Sequence, residues 1–239
     1  MTFISQNPIP VRERLIMALD VPSIEQAQAL VEELGDSVIF YKVGMELFMC
    51  GDYFGFIEWL KQRNKKVFVD LKFFDVPATV GRAIKALSHK GVDFATIHGN
   101  DAIMQSAAEN KGDLKVLAVT ALTSLDRGDL DDLGFSCDVR DLVLSRAKRA
   151  LTIGCDGVVS SGLEAQLLRE NLDNKLLVIT PGIRPVDNRE EDDQKRVVSV
   201  EMAFQSGADY IVVGRPIRDA DNRAAMAEKI QTQIAAQFN

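Results

Sequence analysis

The residues with the clearest chemical potential are three charged side chains of alternating sign, Asp70, Lys72 and Asp75. Apolar side chains alternate with other residues through 67–73, which predicts a strand. Side chains two apart on a strand share a face, so Asp70 and Lys72 project together, away from the aliphatic row. Asp75 follows where a proline ends the strand. Burying such charges is costly unless they satisfy one another, so the group indicates a functional site; a surface strand end with an incidental salt bridge is the alternative.

The bulk composition bounds the class of protein. The chain has 239 residues, a hydrophobic fraction of 46% and a net charge of −7. This acidic balance gives no bulk support for nucleic-acid binding, so any anion must be held by local cations and backbone amides. Three cysteines, Cys50, Cys137 and Cys155, lie in unrelated contexts without metal-type spacing, which argues against structural zinc. With no signal-peptide or membrane-span pattern, we expect a soluble cytoplasmic protein.

Strand and helix patterns alternate along the whole chain. Eight strands are predicted, at residues 15–21, 38–44, 67–73, 94–99, 116–122, 157–162, 176–180 and 210–214. Helices are predicted after them, near residues 23–35, 53–63, 78–90, 102–110, 139–153, up to 171, from 200 and at 221–237. Eight strand–helix units predict a closed (β/α)8 TIM barrel, an α/β fold, as one domain over residues 1–239. No GxGxxG follows the first strand, which argues against a dinucleotide fold.

The barrel prediction places the charges. Active sites of such barrels lie at the carboxyl ends of the strands. Asp20, Lys42, Asp70 and Lys72 all fall there, on the first three strands. We therefore expect these four side chains to form one site.

Two glycine–arginine pairs follow the last two strands. Gly182 and Arg184 follow the seventh strand, and Gly214 and Arg215 follow the eighth. Barrels commonly bind phosphate at this position, and arginine matches a phosphate with paired donors. We interpret the pairs as an anion site, the alternative being turn glycines with surface arginines.

Other polar segments leave their alternatives open. Residues 184–196, which include Gln194, form either a solvated loop or a lid. Thr123 and Ser124 could bind a polar heterocycle or start a turn. The acidic insertion at residues 126–138 is expected to be a solvated loop. For His98, a satisfied position at the edge of the core is favoured over catalysis.

Taken together, residues 70–79, residues 180–185 and the Gly214-Arg215-Pro216 segment resemble the orotidine 5'-phosphate decarboxylase family. The similarity covers nearly the whole chain, from Leu19 to Pro216. One departure is Phe74, where bacterial members often carry histidine.

The resemblance implies an activity and a set of roles. It implies decarboxylation of orotidine 5'-monophosphate to uridine 5'-monophosphate and CO2 without a cofactor, the last step of de novo pyrimidine biosynthesis. Lys72 would donate a proton to C6 of the pyrimidine, and Asp70 would lie against the substrate carboxylate. Lys42, Asp70, Lys72 and Asp75 would form one charge network.

The resemblance also implies a homodimer and the substrate contacts. Asp75 and Thr79 would reach the partner's site. Asp20 and Lys42 would hold the ribose, and Thr123 and Ser124 the base. The remaining contacts would be Gln194, Gly214 and Arg215 on the phosphate, with Arg184 beside the lid.

Two other functions are considered. A related decarboxylase or aldolase acting on a sugar phosphate would carry a similar third strand and use a magnesium ion. A non-catalytic nucleotide-binding protein could have kept the barrel. The Thr123–Ser124 pair and the long charged segment favour the nucleotide substrate over the first alternative, and the intact set of Asp70, Lys72 and Asp75 argues against the second.

Overall fold

Eight parallel strands close into a barrel in which each strand pairs with its neighbours in chain order. The structure is a computed structural model, and it describes residues 3–172, 174–184 and 198–238. The strands are β1 (Leu15–Ala18), β2 (Phe40–Gly44), β3 (Lys66–Phe73), β4 (Phe94–His98), β5 (Lys115–Val119), β6 (Gly157–Val159), β7 (Leu177–Thr180) and β8 (Tyr210–Val213). The (β/α)8 barrel predicted from the sequence is therefore confirmed.

Helices surround the barrel and follow the strands. They are α1 (Ile24–Leu34), α2 (Met45–Phe48), α3 (Tyr53–Gln62), α4 (Pro77–Ser88), α5 (Asp101–Asn110), α6 (Arg127–Asp132), α7 (Val139–Ile153), α8 (Gly162–Asn171), α9 (Val200–Gln205), α10 (Arg215–Arg218) and α11 (Arg223–Phe238). None of the helices in the described part of the chain is long and apolar enough to span a membrane.

Local signals explain most helix ends. The Ser23 side chain accepts a hydrogen bond from Gln26 N and so caps the amino-terminal end of α1. Gly154 ends α7 with a φ of 97°, a left-handed conformation that favours glycine. Several strands are shorter than predicted because their last residues turn into the loops that carry the site.

The prediction of a solvated loop at residues 126–138 was wrong. The segment contains α6, which is opened by a capping box between Asp126 and Asp129. Leu130 on this helix is fully buried in the main core. An acidic composition hid a short amphipathic helix, because one buried leucine is too weak a periodic signal to detect.

The interior of the barrel is filled below the site by aromatic rings. Phe40, Phe68, Phe94 and Tyr210 are buried, and their ring centroids lie 5.0 to 6.0 Å apart. Tilted and edge-to-face contacts of this kind are favourable arrangements for aromatic pairs. The rings separate the carboxyl-end cavity from the amino-terminal end of the barrel.

Three aspartates repeat one arrangement at that amino-terminal end. Asp93, Asp156 and Asp209 directly precede β4, β6 and β8, and each accepts a hydrogen bond from the second residue of the preceding strand. The donors are Val67 N at 2.9 Å, Val116 N at 2.8 Å and Val178 N at 2.8 Å. Each carboxylate also pairs with a cation from the segment just before the donor strand: Lys61 on α3, Lys111 at the carboxyl-terminal cap of α5, and Arg169 on α8. These bonds tie neighbouring strands together at the amino-terminal end of the barrel, where residues stabilise the fold and do not form the active site.

Candidate active site

A cavity of about 550 Å³ opens at the carboxyl ends of the strands. Its size suits a small-molecule ligand. Its apolar lining includes Phe68, Val119, Val159 and Val212. Its polar lining includes Asp20, Lys42, Asp70, Lys72, Thr123, Ser124, Gly182, Arg184, Gly214, Arg215 and Arg218.

A chain of alternating charges crosses one side of this cavity. Lys72 Nζ lies 3.0 Å from Asp70 Oδ1, and Lys42 Nζ lies 3.4 Å from Asp70 Oδ2. Lys42 Nζ also donates to Asp20 Oδ1 at 3.1 Å. The parallel pairing of β1 with β2 and of β2 with β3 therefore brings together four residues from three separate segments of the chain. The site predicted from Asp20, Lys42, Asp70 and Lys72 is observed.

The network keeps its buried groups ionised. Burial alone would raise the pKa of Asp70, but attraction to Lys42 and Lys72 and hydrogen bonds from Lys72 and Thr96 outweigh it and lower that pKa. Burial likewise would lower the pKa of Lys42, and the carboxylates of Asp70 and Asp20 reverse the effect and raise it. A fixed array of charges in which Lys42 and Asp70 are largely shielded from water is suited to stabilising charge that develops in a reaction.

The opposite side of the cavity is rich in arginine. After β7 the chain turns at Gly182, whose φ of 77° lies in the left-handed region that glycine adopts at little cost. Arg184 follows two residues later and lines the cavity. Arg215 follows Gly214 directly after β8. Among the described residues, five cationic and two anionic side chains line the cavity, although the chain carries a net charge of −7. The cavity is thus a local anion site in an acidic protein.

Nine predicted site residues line this single cavity. They are Asp20, Lys42, Asp70, Lys72, Thr123, Ser124, Arg184, Gly214 and Arg215. Asp75 and Thr79 do not line it within one chain. Asp75 is exposed and accepts a hydrogen bond from Val76 N at 2.6 Å, so it does not join Asp70 and Lys72 of its own chain. Its expected reach into a partner's site stays a prediction. Gln194 lies outside the described residues.

Phe74 and His98 pack against each other beside the site. Their ring centroids lie 4.3 Å apart, and His98 Nδ1 lies 2.6 Å from Asn100 Oδ1. Both residues are absent from the cavity lining, in agreement with the non-catalytic interpretation of His98. Cys155 is buried away from the cavity, and burial raises its pKa to about 12, so it cannot supply a thiolate nucleophile at neutral pH.

Sequence reasoning missed Arg218 and Thr96. Arg218 Nη1 donates to the backbone oxygen of Asp20 at 2.7 Å, which ties the loop after β1 to α10. Thr96 Oγ1 donates to Asp70 Oδ1 at 2.9 Å. A signal for Thr96 existed, because it is the polar residue two positions after Phe94 on an inward-facing row of β4. Nothing local marked Arg218, whose partner lies 198 residues earlier.

The fold and the site define a (β/α)8-barrel enzyme with a lysine–aspartate network beside an arginine-rich anion site. Residues 13–230 match the sequence model of the "Orotidine 5'-phosphate decarboxylase / HUMPS family". The chain belongs to this family.

Individual relatives agree with that membership. The chain is 68% identical to an orotidine 5'-phosphate decarboxylase of Methylococcus capsulatus, with 99% of this chain and 98% of the relative covered. It is 50% identical to the orotidine 5'-phosphate decarboxylase of Stenotrophomonas maltophilia, over 97% of this chain and 98% of the relative. The crystal structure of orotidine 5'-phosphate decarboxylase from Lactobacillus acidophilus superposes with a TM-score of 0.82 at 36% identity, covering 93% of this chain and 99% of that one.

Proposed function

We propose that this chain decarboxylates orotidine 5'-phosphate to uridine 5'-phosphate and CO2 without a metal or cofactor, as the last step of uridine 5'-phosphate synthesis. The observation that carries the proposal is the Lys42–Asp70–Lys72 network, with Lys72 Nζ 3.0 Å from Asp70, beside the arginine-rich side of one cavity. The relatives from Methylococcus capsulatus and Stenotrophomonas maltophilia bear the name of this activity.

Lys72 supplies the central chemistry of the proposal. When the bond between C6 and the carboxylate breaks, CO2 departs and its bonding electron pair remains on C6. The ammonium of Lys72 stabilises this developing charge and then donates a proton to C6. Solvent afterwards restores the proton on Lys72. Asp70 holds the ammonium in place and faces the substrate carboxylate, while Lys42 keeps Asp70 ionised.

The charge of the cavity matches a substrate that carries both a phosphate and a carboxylate. Arg215 and Gly214 are assigned to the phosphate, together with Gln194 as the family resemblance implies, and Arg184 lies beside them. Thr123 and Ser124 are assigned to the base, and Asp20 and Lys42 to the ribose. Binding energy from the phosphate, far from the reacting carbon, can orient the ring over Lys72.

The activity is tested by following the ultraviolet absorbance of orotidine 5'-phosphate after adding purified protein with a chelator present throughout. Rapid loss of substrate, with uridine 5'-phosphate as the product, is expected. No loss in the chelator, with turnover of a sugar phosphate restored by magnesium, would refute both the substrate and the metal independence. Binding of uridine 5'-phosphate without any turnover would identify a non-catalytic protein instead.

The site is proposed to be completed by a second copy of the chain. Asp75 and Thr79 lie outside their own chain's cavity, on the segment that follows β3. Phe74 and Val76 flank Asp75 and are 67% and 63% exposed, so this segment presents apolar surface that a partner could cover. A homodimer with a two-fold axis would place Asp75 of each chain at the partner's Lys72.

A purified heterodimer tests this sharing. One chain would carry Lys72→Ala and the other Asp75→Ala, each with its own affinity tag. If the sites are shared, one site carries both changes and the other neither, so activity should return to about half that of the native dimer. Each mutant homodimer provides the inactive baseline. A heterodimer as inactive as the two homodimers would show that Asp75 serves its own chain.

Arg215→Ala should weaken uridine 5'-phosphate binding by about 100-fold, because charge-assisted hydrogen bonds contribute roughly 1.5–3 kcal/mol each. Titration calorimetry measures the affinity. Uridine, which lacks the phosphate, is the matched control ligand, and its affinity should not change. Equal weakening of both ligands would mean that Arg215 shapes the cavity and does not bind the phosphate.

We propose that the chain works in the cytoplasm as one domain over residues 1–239. Its three cysteines, Cys50, Cys137 and Cys155, are all free, which suits a reducing compartment. Fractionation of the producing cells, with activity assayed in each fraction, tests the location.

A further inference from the structure

A fully buried threonine lies directly behind the charge network. Thr96 has 0% exposure and does not line the cavity, so a bound substrate would not touch it. It follows Phe94 by two positions on β4, and Phe94 belongs to the aromatic interior of the barrel. Thr96 therefore faces the inside of the barrel, between the aromatic rings and the site.

The strand opposite Thr96 is irregular at the catalytic residues. Pairing between β3 and β4 passes from Val69–Ala95 to Phe73–Ile97, so three residues of β3 stand against Thr96 alone. Bulges of this kind redirect side chains next to active sites. Lys72, the last residue of the bulge, has a φ of 49°, in a left-handed region that is costly for a lysine. Such a conformation persists only where surrounding contacts enforce it.

The Thr96 hydroxyl makes two bonds that together span the bulge. It accepts a hydrogen bond from Lys72 N at 2.9 Å and donates one to Asp70 Oδ1 at 2.9 Å. The polarity is unambiguous, because a backbone N–H can only donate and a carboxylate can only accept. One hydroxyl thus holds the backbone of Lys72 and the carboxylate of Asp70 at once.

We infer that Thr96 is a positioning residue for the reaction, which sets the relative geometry of Lys72 and Asp70 without contacting the substrate. Asp70 Oδ1 receives both the Thr96 hydroxyl and the Lys72 ammonium, so the orientation of this carboxylate controls where the ammonium lies. This inference rests on the proposed role of Lys72. Misplacement of a reacting group by about 1 Å can cost on the order of 100-fold in rate.

The test is a pair of substitutions that separate the hydroxyl from the shape of the side chain. Thr96→Val keeps the shape and loses both hydrogen bonds, whereas Thr96→Ser keeps the hydroxyl. Thr96→Val should lower kcat by about 100-fold with KM and uridine 5'-phosphate affinity within about threefold of the parent, as expected for a positioning loss. Thr96→Ser should retain kcat within about fivefold.

Thr180→Val is the matched control. Like Thr96, Thr180 is fully buried and does not line the cavity; it is the last residue of β7. Its hydroxyl has no hydrogen-bond partner among the residues that the structure describes. This variant should keep the parental kcat. If Thr96→Val does not fold, Thr96→Ala takes its place in the comparison with Thr96→Ser.

Equal kcat values in the parent and in Thr96→Val would overturn the inference. So would an equal loss in Thr96→Ser and Thr96→Val, because the shape of the side chain and not its hydroxyl would then matter. These failures differ from a failure of the proposed chemistry. If Lys72→Ala keeps full turnover, the role of Lys72 itself is wrong, whereas an inactive Lys72→Ala beside a fully active Thr96→Val refutes only the positioning role.

Discussion

Lys72→Ala should reduce kcat for orotidine 5'-phosphate by at least about 10⁴-fold while the protein still binds uridine 5'-phosphate. The change removes both a fixed charge, worth about 10²–10³-fold, and the proton donor, worth about 10²–10⁴-fold. Binding survives because the substitution leaves the arginine-rich side of the cavity and the lining residues Thr123 and Ser124 unchanged. The loss of ultraviolet absorbance of orotidine 5'-phosphate gives kcat, and titration calorimetry gives the affinity for uridine 5'-phosphate.

Lys66→Ala is the matched control for this substitution. Lys66 lies on the same strand, β3, but at its amino-terminal end, where it pairs with Glu13. The same change of residue type should leave kcat within about twofold, since that end of a barrel does not carry the chemistry. Turnover of Lys72→Ala within tenfold of the parent would remove Lys72 from its assigned role.

Asp209→Ala should lower the free energy of unfolding by about 3–5 kcal/mol, because it leaves the buried charge of Arg169 without its partner. The side chains of Arg169 and Asp209 are 4% and 0% exposed. Asp209 also accepts hydrogen bonds from Val178 N and Asn7 Nδ2, both at 2.8 Å. Since these contacts lie at the amino-terminal end, the folded variant should retain its kcat. Urea unfolding followed by circular dichroism measures the effect.

Asp93→Ala and Asp156→Ala provide a graded comparison. Both residues repeat the bonds of Asp209 to a backbone N–H and a cation, but their side chains are 26% and 24% exposed. Water can solvate the orphaned Lys61 or Lys111, so each loss should be about 1–2 kcal/mol. Three equal losses would show that burial of the ion pair does not set the stability.

The order of the elements was predictable because its signals are short-range. Alternation of apolar residues marked the strands, and the longer helical patterns between them marked the major helices. Residues 139–153 were predicted as a helix and form α7. The short helices α2, α6 and α10 were missed, because four to six residues hold too few turns to show a period.

The sequence by itself also determined which residue types stand at the carboxyl ends of the strands. Asp20, Lys42, Asp70 and Lys72 could be assigned there from the strand pattern alone, and so could the glycine–arginine pairs. Because parallel barrels place their active sites at this end, these residues could be predicted to share one site.

Only the tertiary structure decided which of these groups meet and how. The bulge in β3 and the two bonds of Thr96 depend on the register between β3 and β4, which is set by packing across the whole barrel. The bond from Arg218 to Asp20 depends on closure of the barrel between β8 and β1. Asp75 falls outside its own chain's cavity for the same reason: the path of the chain after β3 is a property of the packed structure, and sequence proximity to Lys72 does not determine it.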